Sequence, residues 1–281
     1  MTEDKHGHPR WEGHLQLRFE RRQNQTRLSH QFVAMPLAFQ KVYYPEGDQV
    51  CHGVMLHPSG GVAKDDQLLI RADLGPAAEV LLTTPGAGKV YRSADRARQQ
   101  VHLQLDSGAC LEWFPQESIV FDGAQVQNHL QVELAEESSW FGWDVWRLGR
   151  SGAGERFTHG SWQAVTEVWR EGRPLWVDRQ QLRGGSGLLD SPYGLNGQSV
   201  LGTMAFLGQP VSRDLLETCR EAGQAAIGQG DWALSRLEFG LVARYRGASS
   251  ARARSLFVAI WGILRKTLRQ RTPCIPRIWN T

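Results

Sequence analysis

The side chains of this chain that come closest to a metal-ligand set are Cys51, His52 and His57. In a strand, Cys51, Met55 and His57 share one face while His52 points to the other. A thiolate beside an imidazole suits nickel, copper or zinc, but two residues are too few for a closed site. Cys51 is therefore read as structural, and His57, just ahead of a proline turn, as the more open candidate. His6, His8 and His14 lie near the N-terminus, where a histidine group binds metal only weakly. The acids Asp66, Glu112, Glu117, Asp122, Glu133 and Asp144 fall in or beside turns and strands, where surface solvation is the default role.

Catalytic patterns fail in turn. There is no GxSxG elbow, no HExxH, no GxxxxGK[ST] phosphate loop and no GxGxxG opening a helix. Gly86-Ala87-Gly88-Lys89 lacks both the hydroxyl residue after the lysine and the preceding glycine spacing. A hydrolase built on Glu112 and Glu117 would rest on two acids in one turn. The four cysteines, Cys51, Cys110, Cys219 and Cys274, contain no CxxC pair and read as reduced thiols. The chain is expected to be a non-enzyme.

The elements that would position these residues are mostly strands. Leu15, Leu17 and Phe19 alternate with polar residues, as do Val101, Leu103 and Leu105, and then Leu130, Val132 and Leu134. Further strand patterns lie at Trp162 to Trp169, and less regularly at Val50 to Leu56, Leu175 to Leu182 and Ser199 to Phe206. Turn signals separate them: Leu74-Gly75-Pro76, Asp106-Ser107-Gly108, Ser151-Gly152-Ala153-Gly154 and Arg183-Gly184-Gly185. With 30 glycines, this pattern implies a mainly antiparallel β protein. Helical periodicity comes late, at 213–223 with Ser212 as N-cap and Gly223 as stop, and at 250–269 with Leu256, Phe257, Ile260, Ile263, Leu264 and Leu268 as one stripe. Arg252, Arg254, Arg265, Lys266 and Arg269 fall largely off that stripe, as a solvated basic face. Pro273 and Pro276 then leave an extended tail. With no repeat and no linker, residues 1–281 read as one domain, of which 1–10 are expected to be flexible.

Composition adds boundaries. Hydrophobic residues at 41% and charged residues at 22% are those of a soluble globular protein. No apolar run is long enough to span a bilayer, and the polar start has no signal-peptide core, so a cytoplasmic protein is expected. From Arg236 onward there are ten Lys+Arg against one acid, Glu238. Such a basic end suits an acidic protein partner better than nucleic acid, because the aromatic and glycine content offers no RNA-binding motif to go with it.

The most distinctive stretch is Leu81 to Ala124. It holds Thr83-Thr84-Pro85-Gly86-Ala87 and Trp113-Phe114-Pro115-Gln116-Glu117, joined by the alternating strand. Pro85-Gly86 reads as a type II turn, with glycine supplying a positive φ. No catalytic chemistry explains residues so particular in type, so both clusters are expected to shape the interior or a partner surface.

Those clusters carry a resemblance. In order along the chain stand Tyr44-Pro45-Glu46-Gly47, Cys51-His52, His57-Pro58-x-Gly60-Gly61-Val62, Leu82-Thr83-Thr84-Pro85-Gly86-Ala87-x-Lys89-x-Tyr91-Arg92-Ser93, Leu111-Glu112-Trp113-x-Pro115-Gln116-Glu117 and Phe121-x-Gly123-Ala124. Gly142-Trp143, Gly149-Arg150, Gly154-Glu155-x-Phe157, Arg244-Tyr245 and Pro276-Arg277-Ile278-Trp279-x-Thr281 complete the series. Together they resemble the urease accessory protein family UreD, also called UreH, over most of the chain. Two positions depart from it. Lys64-Asp65 replace a pair of glycines ahead of Asp66, which puts the turn in question because lysine and aspartate accept positive φ less readily; Asp144 shortens a glutamate.

The resemblance implies a non-enzymatic scaffold. Its fold would be mainly β, a β-helix-like stack of antiparallel and mixed sheets with two α-helices in the C-terminal third. It would bind the urease apoprotein and, with UreF and the GTPase UreG, deliver nickel to the urease active site through an internal polar passage, with no tightly bound cofactor and Ni²⁺ only in transit. A route for an ion must be wet and must bind weakly at several points. Asp66, Glu117 and Asp144 are its lining candidates, with His57 as a transient ligand, and Arg252, Arg254 and Arg269 are candidates for docking UreF. The alternative is a metal-independent chaperone that only holds apo-urease in an activation-competent state.

Overall fold

The computed structural model describes residues 2–3 and 9–280, with side chains from Trp11 on. The expectation of flexibility at 1–10, and His6 and His8 with it, lies outside the described residues apart from the short pair β1 (Thr2–Glu3) and β2 (Pro9–Arg10). A hairpin, β3 (Glu12–Arg22) and β4 (Gln25–Ala34), leads through β5 (Ala38–Phe39) to β6 (Val50–Leu56). The chain then coils: β7 (Gln67–Leu74), β8 (Glu79–Thr83) and β9 (Gly88–Val90) form one coil, followed by β10 (Ala97–Leu105), β11 (Cys110–Phe114) and β12 (Ser118–Val120). The coil continues through β13 (Gln125–Leu134) and β14 (Ser139–Leu148) into the hairpin β15 (Ser161–Arg170) and β16 (Arg173–Arg183). β17 (Val200–Leu207), α1 (Arg213–Ile227), the hairpin β18 (Asp231–Leu237) and β19 (Gly240–Gly247), and α2 (Ser250–Arg269) complete the chain.

Among the described residues these strands make two stacked sheets. One runs β16-β15-β13-β10-β7-β3-β4, the other β18-β19-β17-β14-β11-β8-β6-β5, with β12 and β9 attached beside β14. The mainly β, mixed-sheet, β-helix-like architecture with two C-terminal helices is as expected. The antiparallel reading of the turns is corrected. β7, β10, β13 and β15 are parallel neighbours, as are β6, β8, β11 and β14. Gly75 and Gly108 sit in corners that carry the chain from one sheet to the other, and a corner and a hairpin make the same local demand on backbone and sequence. Stacked coils also place residues in register, with Gln67 opposite Arg98 and Ala97 opposite Val126.

Alternation then sorts the side chains. Leu15, Leu17, Phe19, Leu103, Leu105, Val132 and Leu134 point inward from the first sheet and meet Val80, Leu82, Leu111, Trp140, Ala205 and Leu207 of the second. The opposite face of the second sheet, with Leu81, Phe114, Phe141, Trp143, Met204 and Phe206, is covered by both helices. No helix among the described residues is long and apolar enough to cross a membrane.

Ser212 caps α1 by accepting from the Leu215 amide, 3.1 Å away. Gly223 does not stop that helix, which runs on to Ile227. Gly223 is buried in it because a Cβ there would lie 2.8 Å from Leu256 Cδ1 and 3.0 Å from Trp232, so it marks close helix packing. α2 spans the expected residues and is capped by Ser249. The tail is not simply extended: Arg277–Asn280 form a short helical turn that docks Trp279 against Phe114 and Trp143, with the Trp279 indole donating to Thr83 Oγ1 at 2.7 Å.

One arginine of the expected basic face is inside. Arg265 is 2% exposed and donates to Glu46 at 2.7 and 2.8 Å, to Glu112 at 3.0 Å and to the Thr272 carbonyl at 2.6 Å. The His52 Nε2–H completes the cluster on Glu46 at 2.7 Å, and the Trp261 indole donates to Glu112 at 2.8 Å. Burial works against ionisation of Glu46, yet the hydrogen bonds from His52 and Arg265 bring its pKa down to about 2. Burial raises that of Glu112, its guanidinium neighbour only partly offsetting the desolvation.

Removing the shared cation leaves two enclosed carboxylates, so Arg265→Ala should cost about 3–5 kcal/mol in urea unfolding. The stability that Glu46 contributes is present above its ordinary pKa of 4.5 and is lost as pH falls toward 2. The gap between the native chain and Glu46→Gln should therefore close in acid.

Candidate functional site

Inward positions of the two sheets are apolar except along one seam. On the first sheet, Gln99 of β10 stands opposite Asn128 of β13, and one step further Leu130, Thr166 and Asp178 lie in register across β13, β15 and β16. On the second, Asp144, Thr203 and Arg244 are in register across β14, β17 and β19. The seam parts the cluster around Val132, Trp140 and Leu207 from a second inter-sheet cluster around Val126, Trp146 and Trp162.

Three cavities follow the seam and share walls. The outermost, about 250 Å³, is bounded at its mouth by exposed Gly60, Gly86 and Lys89 and by His57, and inside by Gln99, Trp113, Gln116, Asn128 and Trp146. A second of about 30 Å³ adjoins it through Gln99, Trp113, Gln116 and Asn128 and reaches Asp144. The innermost, about 10 Å³, lies between Asp144, Thr166, Asp178, Gln180 and Thr203. Buried Asn128 Oδ1 and Gln116 Nε2 find no partner among the described protein groups. Polar atoms held this way beside a cavity large enough for water are ready-made sites for water or a hydrated ion.

Asp144 is the titratable centre of the seam. Burial, with the Asp178 carboxylate adding repulsion, pushes its pKa up to about 7. Asp178 is held otherwise: Arg244 grips it at 2.7 and 3.1 Å and Gln180 donates to it at 2.6 Å.

The other sequence candidates are spread around the seam. His57 lines the mouth, its Nε2 within 2.9 Å of Ser59 Oγ, and burial lowers its pKa. Asp66 is buried beside the mouth and closes a turn, accepting from the amides of Trp11 at 3.0 Å and Ala63 at 2.9 Å. Lys64 takes a φ of 52° in that turn, so the glycine-like conformation survives without glycine, and Asp65 pairs with Arg98 at 2.9 Å. Glu117 turns away from the cavities: between Gln116 and Ser118, which line them, it accepts from Ser250 of α2 at 3.0 Å and lies 3.9 Å from Arg254. Gln116 takes the place on the wall that the sequence reading gave to Glu117. Arg254 donates to Gln116, Arg252 to the carbonyls of Ile227 and Gln229, and Arg269 is paired with Glu79 at 2.9 Å. With Arg265 buried, the α2 arginines are thus committed within the molecule rather than simply solvated. Glu112 belongs to the Arg265 cluster, so it and Glu117 form no acid pair.

Cys51, His52 and His57 are not brought together. Cys51 is buried, with its thiol pKa pushed up to about 12 by burial, while His52 faces Glu46. Among the described residues there is no group of three or more His, Cys, Asp or Glu able to hold a metal ion. Asn128, Asp178, Gln180 and Thr203 were missed in the sequence. Asn128 continues the inward phase of Leu130, Val132 and Leu134, and a polar residue at an inward position was the available signal.

The expected interior role of Leu81 to Ala124 holds. Trp113 faces the cavity while Phe114 stacks on Trp143 at 3.9 Å, and Thr83 Oγ1 donates to the Phe114 carbonyl at 2.6 Å. Gly86 is not among the glycines at positive φ, so the type II turn is corrected to an open bend at the cavity mouth.

A carboxyl group with a raised pKa penalises folding increasingly as pH climbs from its ordinary value of 3.8 toward 7. Asp144→Asn should therefore match the native chain at pH 4 and exceed it by roughly 1–3 kcal/mol at pH 8 in chemical unfolding.

The UreD urease accessory protein family matches residues 12–280 of the chain. Among similar proteins, the urease accessory protein UreD of Nostoc sp. (strain PCC 7120 / SAG 25.82 / UTEX 2576) is 44% identical over 272 residues, 96% of both chains. That of Acaryochloris marina is 46% identical over 270 residues, 96% of this chain and 95% of its own. That of Azoarcus sp. (strain BH72) is 44% identical over 274 residues, 97% and 95%.

Proposed function

Because the chain belongs to the UreD urease accessory protein family, we propose that it is a scaffold in which the inter-sheet seam carries nickel toward the urease apoprotein. As an accessory protein it acts in urease maturation and is not itself an enzyme. The observation that carries the finer reading is the run of three adjoining cavities, from the His57 mouth past Asn128 to Asp144 and Asp178, through a core that is otherwise apolar.

The chemistry of that lining suits a cargo ion better than a resident one. The unpaired amide oxygen of Asn128, with the Gln99 amide beside it, offers neutral hard ligands that exchange readily with water. Single carboxylates spaced along the seam attract a dication without enclosing it, whereas three converging ligands would retain it. His57 at the mouth is held neutral by burial and so keeps a lone pair for a passing metal. In this reading UreF and the GTPase UreG are the further members of the assembly. The exposed rim of α2 around Arg252 supplies a docking face for UreF, near the mouth-side turn that Arg254 braces through Gln116.

The competing reading is a metal-independent chaperone that only holds apo-urease open. The two part on Asp144 and Asn128, which line the cavities of the seam. Asp144→Ala and Asn128→Leu, co-expressed with urease and the other accessory proteins, are expected to leave co-purification unchanged and to lower the nickel content of urease severalfold. Native nickel content in both variants, with normal assembly, would exclude transit through the seam and favour the chaperone.

A further inference from the structure

The seam ends at a cation of the protein's own. Arg244 lies on β19 of the second sheet and bonds to Asp178 of β16, the edge strand of the first. Its side chain is 46% exposed on one side. On the other it reaches across the gap between the layers, donating to Asp178 through both terminal nitrogens at 3.1 and 2.7 Å and lying 3.4 Å from Thr203 Oγ1. Asp178 and Thr203 are two walls of the innermost cavity, and Gln180 bonds to both, at 2.6 and 3.0 Å. The guanidinium therefore stands between that cavity and solvent.

Resting on the reading of the seam as a cation route, we propose that the Arg244–Asp178 bridge is the gate of its inner end, shut in the free chain. Two effects close it. The planar guanidinium fills the gap between β16 and β19, and its fixed charge opposes any dication approaching Asp178. The same contact occupies the carboxylate that would receive the ion. Release requires Arg244 to exchange Asp178 for another anion, such as a carboxylate presented by a docked protein. That exchange conserves the bidentate pairing of the arginine, and the exposed outer side of its side chain is where such a group can arrive. A nickel ion would then leave only where a partner waits to take it.

The gate can be read without nickel. In the full chain, Thr203→Cys places a thiol in the innermost cavity, and its reaction with a cationic methanethiosulfonate reagent reports access from solvent, with the parent chain giving the background from native thiols. Adding Arg244→Met should speed labelling about tenfold, the change expected when 1.4 kcal/mol of closed-state stabilisation is lost. The exchanged pair, Arg244→Asp with Asp178→Arg, should return the slow rate, which a purely structural contribution to folding would not predict. Equal rates with and without Arg244 overturn the gate, as does fast labelling in the exchanged pair. If Arg244→Met is too unstable to isolate, Arg244→Gln, which removes the charge and is too short to span the gap, must show the same acceleration or the gate is lost. Fast labelling in Arg244→Met with native urease nickel content in Asp144→Ala would keep the gate and sink the nickel route; slow labelling with low nickel content would do the reverse.

Discussion

Everything in this molecule depends on coils stacked in register. When β7, β10, β13 and β15 pair in parallel, residues that share a height share an environment, so a polar side chain admitted at one inward position must be answered at the same height on the next strand and on the facing sheet. Gln99 answers Asn128 along the first sheet, and Asp144 answers Thr203 and Arg244 along the second. An isolated carboxyl in such a core would be strongly unfavourable. The seam tolerates Asp144 because polar neighbours extend from it in both directions, until at one end the chain of groups reaches solvent and at the other a guanidinium.

The same register explains why the helices lie where they do. In β11 and β14 every residue that faces the seam has a neighbour facing the opposite way, and in this stretch those neighbours are Phe114, Phe141, Trp143 and Val145. That apolar face needs a cover, which α1, α2 and Trp279 supply. The Arg265 cluster fixes α2 at one end through Glu46 and Glu112, and Ser250 with Glu117 fixes it at the other. A turn such as Trp113 to Glu117 is thus constrained on both sides: Trp113 and Gln116 serve the cavity, Phe114 and Glu117 serve the helix layer. No catalytic demand is needed to account for such exacting residue types.

Much of this was legible in the sequence where the cause is local. Alternation revealed β3, β10, β13 and β15, Ser212 revealed the start of α1, and the apolar stripe gave α2 both of its ends. What escaped depends on distance along the chain. A corner between sheets and a hairpin use the same glycines, so parallel pairing left no mark. Gly223 signals a stop or a close contact equally well, and only Leu256 and Trp232 decide between them. Arg265 reads as one more surface arginine until Glu46, 219 residues away, is brought beside it. Glu117 and Gln116 are adjacent, and which of them faces the cavity is a question of phase that an irregular turn conceals. Of the residues that the resemblance implied, Asp144 and His57 line the cavities while Asp66 and Glu117 brace their walls, and Asn128 and Asp178 join the lining.

The composition of the lining bears on how an ion would move. A dication hydrated by neutral amides in the outer cavity keeps most of its solvation, so entry there costs little. Further in, the cavities shrink from about 250 to about 10 Å³ while carboxylates replace amides. Loss of water is thereby offset by growing attraction. At Asp144 the burial that disfavours the bare carboxylate also makes it a stronger ligand once a dication neutralises it. Such a profile draws the ion inward but contains nothing to expel it at the far end. The positive charge at Arg244 does not help there, because it repels the ion while it remains and, once withdrawn, leaves Asp178 free to hold it. On the proposed reading, net transfer would therefore come from a recipient whose ligands outnumber the seam's one or two carboxylates, and the direction of flow would belong to that recipient rather than to this chain alone.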